Sequence, residues 1–380
     1  MQITDIRLTE VIYPMPSGVR HGRAYRESLG SNLVQVLTDE GITGVSGVWG
    51  PYAPLRSAID AVLLPMLKGQ NPMDIERLWE TMYTSAITGT APRLIGAIDV
   101  ALWDITGKAL GAPIYRMLGA LRDTVSVYVA PSMKQPEVIA DECVRYREAG
   151  YPAIKLRIGL GFVGLAEEKT IDKDIQIVQQ AREILGSKVD IGVDTDKTYD
   201  HFTALRLAPV LEANGVAWFE EPLDTYYVDR DREQYVDAMA RLQGQVKVPL
   251  SGGQGFFTRY QYRDIVARHA VDIIEPDLFS VGGISELRWV AALASAWGLK
   301  CMPHINCLNG HDIQLVATAH CLASMSNGMY LCYPPYDTPL RTELLVEQPK
   351  VVNGHFPLPQ KPGLGIEIDP DALAKYAVQH

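Results

Sequence analysis

Asp190-Ile-Gly-Val-Asp194-Thr-Asp196-Lys197 closes an apolar run, Val189 to Val193, on carboxylates. Side chains alternate along a strand, so a strand through this run aims Asp194 and Asp196 the same way. An unpaired carboxylate at the end of a buried strand is costly to desolvate, so the pair calls for a cation or a set of donors. The device recurs twice downstream. Val216-Ala-Trp-Phe-Glu220-Glu221-Pro222 runs from apolar residues into two carboxylates, and Val246 to Ser251 runs into Gly252-Gly253-Gln254. One such strand end reads as a helix cap or a partner for a surface lysine. Three in series, separated by helix-length segments, read as oxygen ligands gathered around one hard divalent cation such as Mg²⁺.

The rhythm extends on both sides of these stretches. From Thr124 onward apolar runs begin about every 30 residues with helical stretches between them, as in a βα-repeat barrel. Strands are expected near Val125–Ala130, Ala153–Arg157, Val189–Asp194, Val216–Phe219, Val248–Ser251, Val271–Ile274, Leu299–Met302 and Met329–Cys332. Asp174–Leu185 has the apolar spacing of a helix. Eight such units imply a closed α/β barrel, with the active site at the C-terminal ends of its strands. An open doubly wound sheet is the alternative, but no Gly-x-Gly-x-x-Gly follows the first strand.

The first third reads differently. Residues 1 to about 50 suggest a three-stranded antiparallel meander, with Asp39-Glu40-Gly41 as a hairpin signal. Pro14 to Gly30 is read as a long irregular loop, functional or mobile rather than merely solvated, carrying Arg20, His21, Arg23 and Arg26. Helices are expected around Leu55–Leu63, over Asp74–Tyr83, and over Arg93–Gly111, where Leu94, Ile95, Ile98, Leu102 and Ile105 share one face. The tail Pro362-Gly-Leu-Gly-Ile-Glu-Ile-Asp-Pro reads as a last strand and turn returning to the N-terminal part.

The chain of 380 residues is 47% hydrophobic, ample for a sizeable core and for two domains. A net charge of -10 and a pI near 5.3 argue against a general nucleic-acid or anionic-membrane binder. The five cysteines are odd in number and form no Cys-x-x-Cys pair, which argues against a disulfide framework or zinc site. The N-terminus has no signal-peptide apolar block and no run is long enough to cross a bilayer, so a cytoplasmic setting is expected.

Two further strand ends carry chemistry. Lys155 and Arg157 share a face at the end of the second barrel strand. They either form ion pairs with the carboxylate cluster, or hold a substrate carboxylate or act on its α-proton. Asp277 ends the sixth strand and His304 the seventh. An Asp one strand back from a His can orient the imidazole and raise its basicity, so this pair reads as catalytic.

Taken in order, Ile-Lys155-Leu-Arg157, Val-Asp194-Thr-Asp196, Trp-Phe-Glu220-Glu-Pro, Pro249-Leu-Ser-Gly-Gly-Gln254, Pro276-Asp277 with Val281-Gly-Gly-Ile, Pro303-His304 and the closing Pro-Gly-Leu-Gly-Ile-Glu resemble the mandelate racemase subgroup of the enolase superfamily. Ile98-Asp-Val-Ala-Leu-Trp-Asp-Ile-Thr-Gly-Lys fits the same pattern. The resemblance implies a modified (β/α)7β TIM-like barrel with an α+β capping domain: residues 1–120 as cap, 121–345 as barrel, and 346–380 returning to the cap. It implies Mg²⁺-assisted removal of a proton α to a carboxylate, by a Lys or His base. On this reading Asp194, Glu220 and Gln254 hold the metal. His304, Asp277, Lys155 and Arg157 are catalytic, and Arg20, His21, Arg23, Asp196 and Asn306 contact substrate. The sequence departs from the family pattern at four places: Gln254 and Cys332 stand where Glu is usual, Arg157 where Lys is common, and Asp196 where Asn is usual. Arg stays protonated and is a poor base, which leaves His304 as the competent one. The expected activity is therefore dehydration of an acid sugar. The alternatives are cycloisomerisation or epimerisation of a sugar-acid lactone, and a non-catalytic acid-sugar-binding homologue. The expected partners are a small carboxylate substrate and further copies of the chain, with no nucleic acid and no membrane.

Overall fold

A computed structural model describes residues 1–21, 24–86, 92–130, 136–159, 170–224, 231–306, 311–334 and 338–380. The chain opens with an antiparallel sheet of β1 (Ile3–His21), β2 (Ala24–Thr38) and β3 (Thr43–Val48) in that order. The turn between β2 and β3 uses Gly41 at φ 79°, a left-handed geometry that glycine adopts without strain. The stretch Pro14 to Gly30, expected as an irregular loop, is instead mostly paired ribbon. Tyr13 pairs with Leu29, Arg20 with Tyr25 and His21 with Ala24, with a register shift between Pro14 and Val19. The ribbon is held by backbone hydrogen bonds, which need no apolar alternation, so the sequence carried no period-2 signal there.

Helices follow: α1 (Tyr52–Ala58), a π-helical turn at Ile59–Leu63, α2 (Leu64–Leu67), α3 (Ile75–Ala86), α4 (Pro92–Leu110) and the short α5 (Ile114–Met117). The apolar stripe predicted for α4 is buried, but so is every residue from Leu94 to Gly107, Asp99 and Asp104 included. The reason is position: α4 lies between the antiparallel sheet and the barrel helices, so both of its faces are covered. Asp104 is kept satisfied by Val45 N and Leu364 N at 2.9 and 2.8 Å and by Lys108 Nζ at 2.7 Å.

The barrel alternates β4 (Thr124–Val129), α6 (Pro136–Glu148), β5 (Ala153–Arg157), α7 (Thr170–Leu185), β6 (Asp190–Asp194), α8 (His201–Ala213), β7 (Trp218–Glu220), α9 (Arg232–Gln243), β8 (Leu250–Gly252), α10 (Thr258–Ala267), β9 (Ile273–Ile274), α11 (Leu278–Val281), α12 (Gly283–Ala296), β10 (Lys300–Cys301), α13 (Ile313–Leu322) and β11 (Leu331–Tyr333). Each of the eight strands read from the sequence is present at its expected place, most of them shorter than expected. Their pairing is parallel and consecutive from β4 to β10, and β11 pairs with β4. Closure comes through backbone bonds: Cys301 N donates to Asn327 O at 3.0 Å and Met329 N to Cys301 O at 2.9 Å. The doubly wound alternative is thereby excluded.

After α14 (Pro339–Glu343), β12 (His355–Pro357) pairs antiparallel with β4, and α15 (Pro370–Tyr376) ends the chain. The tail corrects the sequence reading. Its strand lies at 355–357, on the barrel, while the Pro362–Pro370 stretch makes only isolated bridges at Gly363 and Ile368. That stretch does run back to α4 and α5, through Leu364 N to Asp104 and Ile114 N to Gly363 O. Among the described residues no helix is long and apolar enough to cross a membrane.

Candidate active site

Parallel register lays the site out in a row. Arg157 on β5 is level with Asp194 on β6, Asp194 with Glu220 on β7, and Glu220 with Ser251 on β8. Lys155 lies one level deeper on the same face, beside Gly192 and Trp218. Its side chain is 1% exposed, and its ammonium bridges Glu220 Oε1 at 2.5 Å and Asp194 Oδ2 at 3.1 Å. It also lies 5.3 Å from the centre of the Tyr128 ring, a cation–π distance. Arg157 Nε is 3.8 Å from the same Asp194 oxygen. Burial alone would lower the Lys155 ammonium, but the charges of Asp194 and Glu220 outweigh it and raise it well above the usual lysine range. Asp194 moves the opposite way: burial would raise it, yet Lys155 and Arg157 hold it far below the usual carboxylate range. Glu220 is pushed up by burial and by Asp194 against the pull of Lys155. These two cations are therefore ion-paired within the carboxylate cluster.

Asp196 does not follow the alternation expected of it. The strand ends at Asp194, and Asp196 turns back at φ 49° so that its N–H donates to Asp194 Oδ1 at 2.8 Å. Burial and then the Asp194 charge raise its carboxyl. Gln254 also differs from its expected presentation. Its Nε2 donates to Glu220 Oε1 at 2.8 Å and to Glu275 Oε2 at 3.2 Å. It turns its donor, not its oxygen, toward the carboxylates, because acceptors surround it. Glu221, beside Glu220, is tied elsewhere: it accepts from Gly253 N, Gln254 N and the Tyr235 hydroxyl at 2.9, 3.2 and 3.0 Å.

His304 Nδ1 is 3.1 Å from Asp277 Oδ2. The same Asp277 oxygen accepts from Gln314 Nε2 at 2.9 Å, while Oδ1 caps α11 by accepting from Phe279 N and Ser280 N at 3.1 and 3.0 Å. Burial would raise the Asp277 carboxyl, but the bond with His304, the His304 charge and these donors hold it below the usual range. The His304 charge also reaches Glu220. Asn306 follows two residues later and is half-buried. Arg20 and His21 contribute backbone to the β1 ribbon, but their side chains, and Arg23 altogether, lie outside the described residues.

The donor set suits a hard dication. Asp194 and Glu220 already converge on one positive charge, the Lys155 ammonium, and Glu275 Oε1 is a buried carboxylate oxygen with no hydrogen-bond donor among the described residues. Among the described residues no group of three or more His, Cys, Asp or Glu side chains is arranged as a metal site; the Lys155 ammonium meets Asp194 and Glu220, and the Gln254 amide meets Glu220 and Glu275. The sequence reading did not assign Glu275, although it ends an apolar run in the same way as Glu220. Gln314 carries no sequence signal, because it reaches Asp277 from a helix 37 residues away.

Comparison with known proteins agrees with the fold. Residues 138–372 match the enolase C-terminal domain-like family, and residues 14–119 the N-terminal domain of mandelate racemase / muconate lactonizing enzyme. Arabinonate dehydratase of Saccharolobus solfataricus is 30% identical over 98% of this chain and 99% of its own length. D-galactarolactone cycloisomerase of Agrobacterium fabrum is 31% identical over 90% of each chain. The crystal structure of 3,6-anhydro-D-galactonate cycloisomerase from Zobellia galactanivorans superposes with a TM-score of 0.86 at 28% identity, covering both chains fully. By fold, by the order of its strand-end residues and by these matches, the chain belongs to the enolase superfamily, in its mandelate racemase / muconate lactonizing enzyme branch, and that membership implies a divalent metal ion.

Proposed function

We propose that the protein is a Mg²⁺-dependent hydro-lyase that removes the α-proton of an acid sugar and expels its β-hydroxyl as water. The observation that carries this reading is the His304–Asp277 pair at 3.1 Å. Asp277 fixes Nδ1, which leaves Nε2 to meet a substrate proton. Lys155 is committed to two carboxylates and Arg157 stays protonated, so neither suits a base on the opposite face. One imidazole can serve both halves of an elimination: it takes the α-proton and returns it to the departing hydroxyl. Racemisation calls for a second base. Asp194, Glu220 and Gln254 are the residues proposed to hold the cation, which when bound stabilises the negative charge that builds on the substrate carboxylate. Lys155 and Arg157 complement that charge from the second barrel strand. Arg20, His21, Arg23, Asp196 and Asn306 are proposed to contact the polyol, with residues 1–120 and 346–380 forming the cap over the barrel at 121–345, in a homo-oligomer.

Relatives named arabinonate, D-xylonate and D-galactonate dehydratase support the substrate class. D-galactarolactone cycloisomerase at 31% identity supports a second reading, isomerisation of a sugar-acid lactone with the same His304. A panel of aldonic and aldaric acids and their lactones, assayed with Mg²⁺ for 2-keto product and by NMR, decides between them. Water loss from an aldonate is expected. Lactone conversion without a keto product would favour the cycloisomerase, and binding without turnover would overturn both.

A further inference from the structure

We propose that Glu275 supplies the third negative charge of the divalent-cation centre, the charge that position 254 lacks. This rests on the Mg²⁺ reading above. Asp194 and Glu220 provide two carboxylates, and Gln254 is neutral. Another carboxylate at the same strand ends is needed to match a hard dication held by acidic ligands, because attraction scales with the charge presented. Glu221 does not qualify, since three hydrogen-bond donors already hold its two oxygens. Glu275 does. Gly252 on β8 is level with Ile274 on β9, so Gln254 and Glu275 leave adjacent strands side by side. The backbone of Glu275 is locked there by its N–H to Gly252 O at 2.9 Å. One Gln254 nitrogen joins Glu275 Oε2 to Glu220 Oε1, which places Glu275 in the same group as the proposed ligands.

Its other oxygen makes the case. Glu275 is 2% exposed and Oε1 finds no donor among the described residues. A buried carboxylate oxygen left without a donor costs free energy unless a cation compensates it or the group takes up a proton; without a cation, burial and then the Glu220 charge push the Glu275 carboxyl well above the usual carboxylate range. The Lys155 ammonium makes its close contacts to Asp194 and Glu220 instead. A dication placed among these groups would give Glu275 the compensation that its own hydrogen bonds do not.

The test is isothermal calorimetry with Mg²⁺ alone on the full chain: wild type, Glu275→Gln, and the charge swap Glu275→Gln/Gln254→Glu. Wild type is expected to bind saturably, Glu275→Gln about ten-fold or more weakly, and the swap to recover to within a few-fold. A Glu275→Gln affinity unchanged from wild type would overturn the proposal while leaving the Mg²⁺ reading intact. Absence of saturable Mg²⁺ binding by wild type would sink both. If circular dichroism shows Glu275→Gln unfolded, the swap variant decides. A folded swap that binds like wild type supports the charge count, and a folded swap that binds ten-fold or more tightly than wild type overturns it, because position 254 would then add a charge that position 275 never supplied.

Discussion

His304 meets Asp277 through Nδ1, and Asp277 is itself pinned by Gln314 and by two backbone N–H groups of α11. The imidazole is thus oriented by a carboxylate that has little freedom to move. Replacing His304 by Asn removes the base but none of the proposed ligands. Turnover should fall by about 10²–10⁴-fold or more while Mg²⁺ affinity stays within a few-fold. Asp277→Asn keeps an oxygen for the α11 cap yet loses the carboxylate charge beside the imidazole that orients it, so its loss should be smaller. Exchange of the α-proton in deuterated water with both epimers of the best substrate provides the check. Exchange of one epimer, abolished in His304→Asn, is expected. Exchange of both epimers, surviving in that variant, would move the base to Lys155 or Arg157.

At the scale of an element, β6 is held to β7 by a deliberate gap. A Cβ built on Gly192 would lie 2.0 Å from the Trp218 ring, so only glycine lets that indole enter the barrel interior. The indole is buried, packs near Tyr128 and Tyr330, and donates through Nε1 to Glu220 Oε2 at 3.2 Å. Gly192→Ala should force the indole aside, destabilising the fold by about 1–3 kcal/mol in urea denaturation. Because the indole orients Glu220, Mg²⁺ affinity should fall as well. A variant with unchanged midpoint and unchanged affinity would show that the interior layer repacks freely.

At the scale of the whole molecule, two buried histidines join the barrel to the parts that surround it. His320 on α13 accepts from Tyr115 N through Nδ1 at 3.1 Å, and its Nε2 donates to Leu364 O at 3.0 Å. This pattern requires the neutral ring. His311 Nε2 is 2.6 Å from the Ser31 hydroxyl of β2. Burial pushes both rings down to about 4 from an ordinary value of 6.5. Both stay neutral in the folded chain while the unfolded chain takes up protons. The stability they contribute is therefore complete above pH 6.5 and is lost as pH falls toward 4. Each should cost about 2 kcal/mol between pH 7 and pH 5. Urea midpoints at the two pH values measure the loss, and a folded His320→Gln variant should show a shallower dependence.

The strands, their order and the residues at their ends were legible in the sequence, because a closed barrel buries every strand and so writes each as an apolar run ending at the same mouth. Asp194, Glu220, Asp277 and His304 could be found there for that reason. The antiparallel meander of β1, β2 and β3 was legible too, but not the pairing of Pro14–Gly30 within it, because backbone bonds between strands need no apolar alternation. Nor was the tail, where β12 is three residues long and Gly363 is placed by contact with α4 rather than by its own pattern. Which donors face which acceptors was decided by the tertiary structure alone. The Lys155 bridge, the turned Gln254 amide, the reach of Gln314 to Asp277 and the unmet oxygen of Glu275 depend on side chains from different strands and helices meeting across the barrel, and local sequence encodes no such distance.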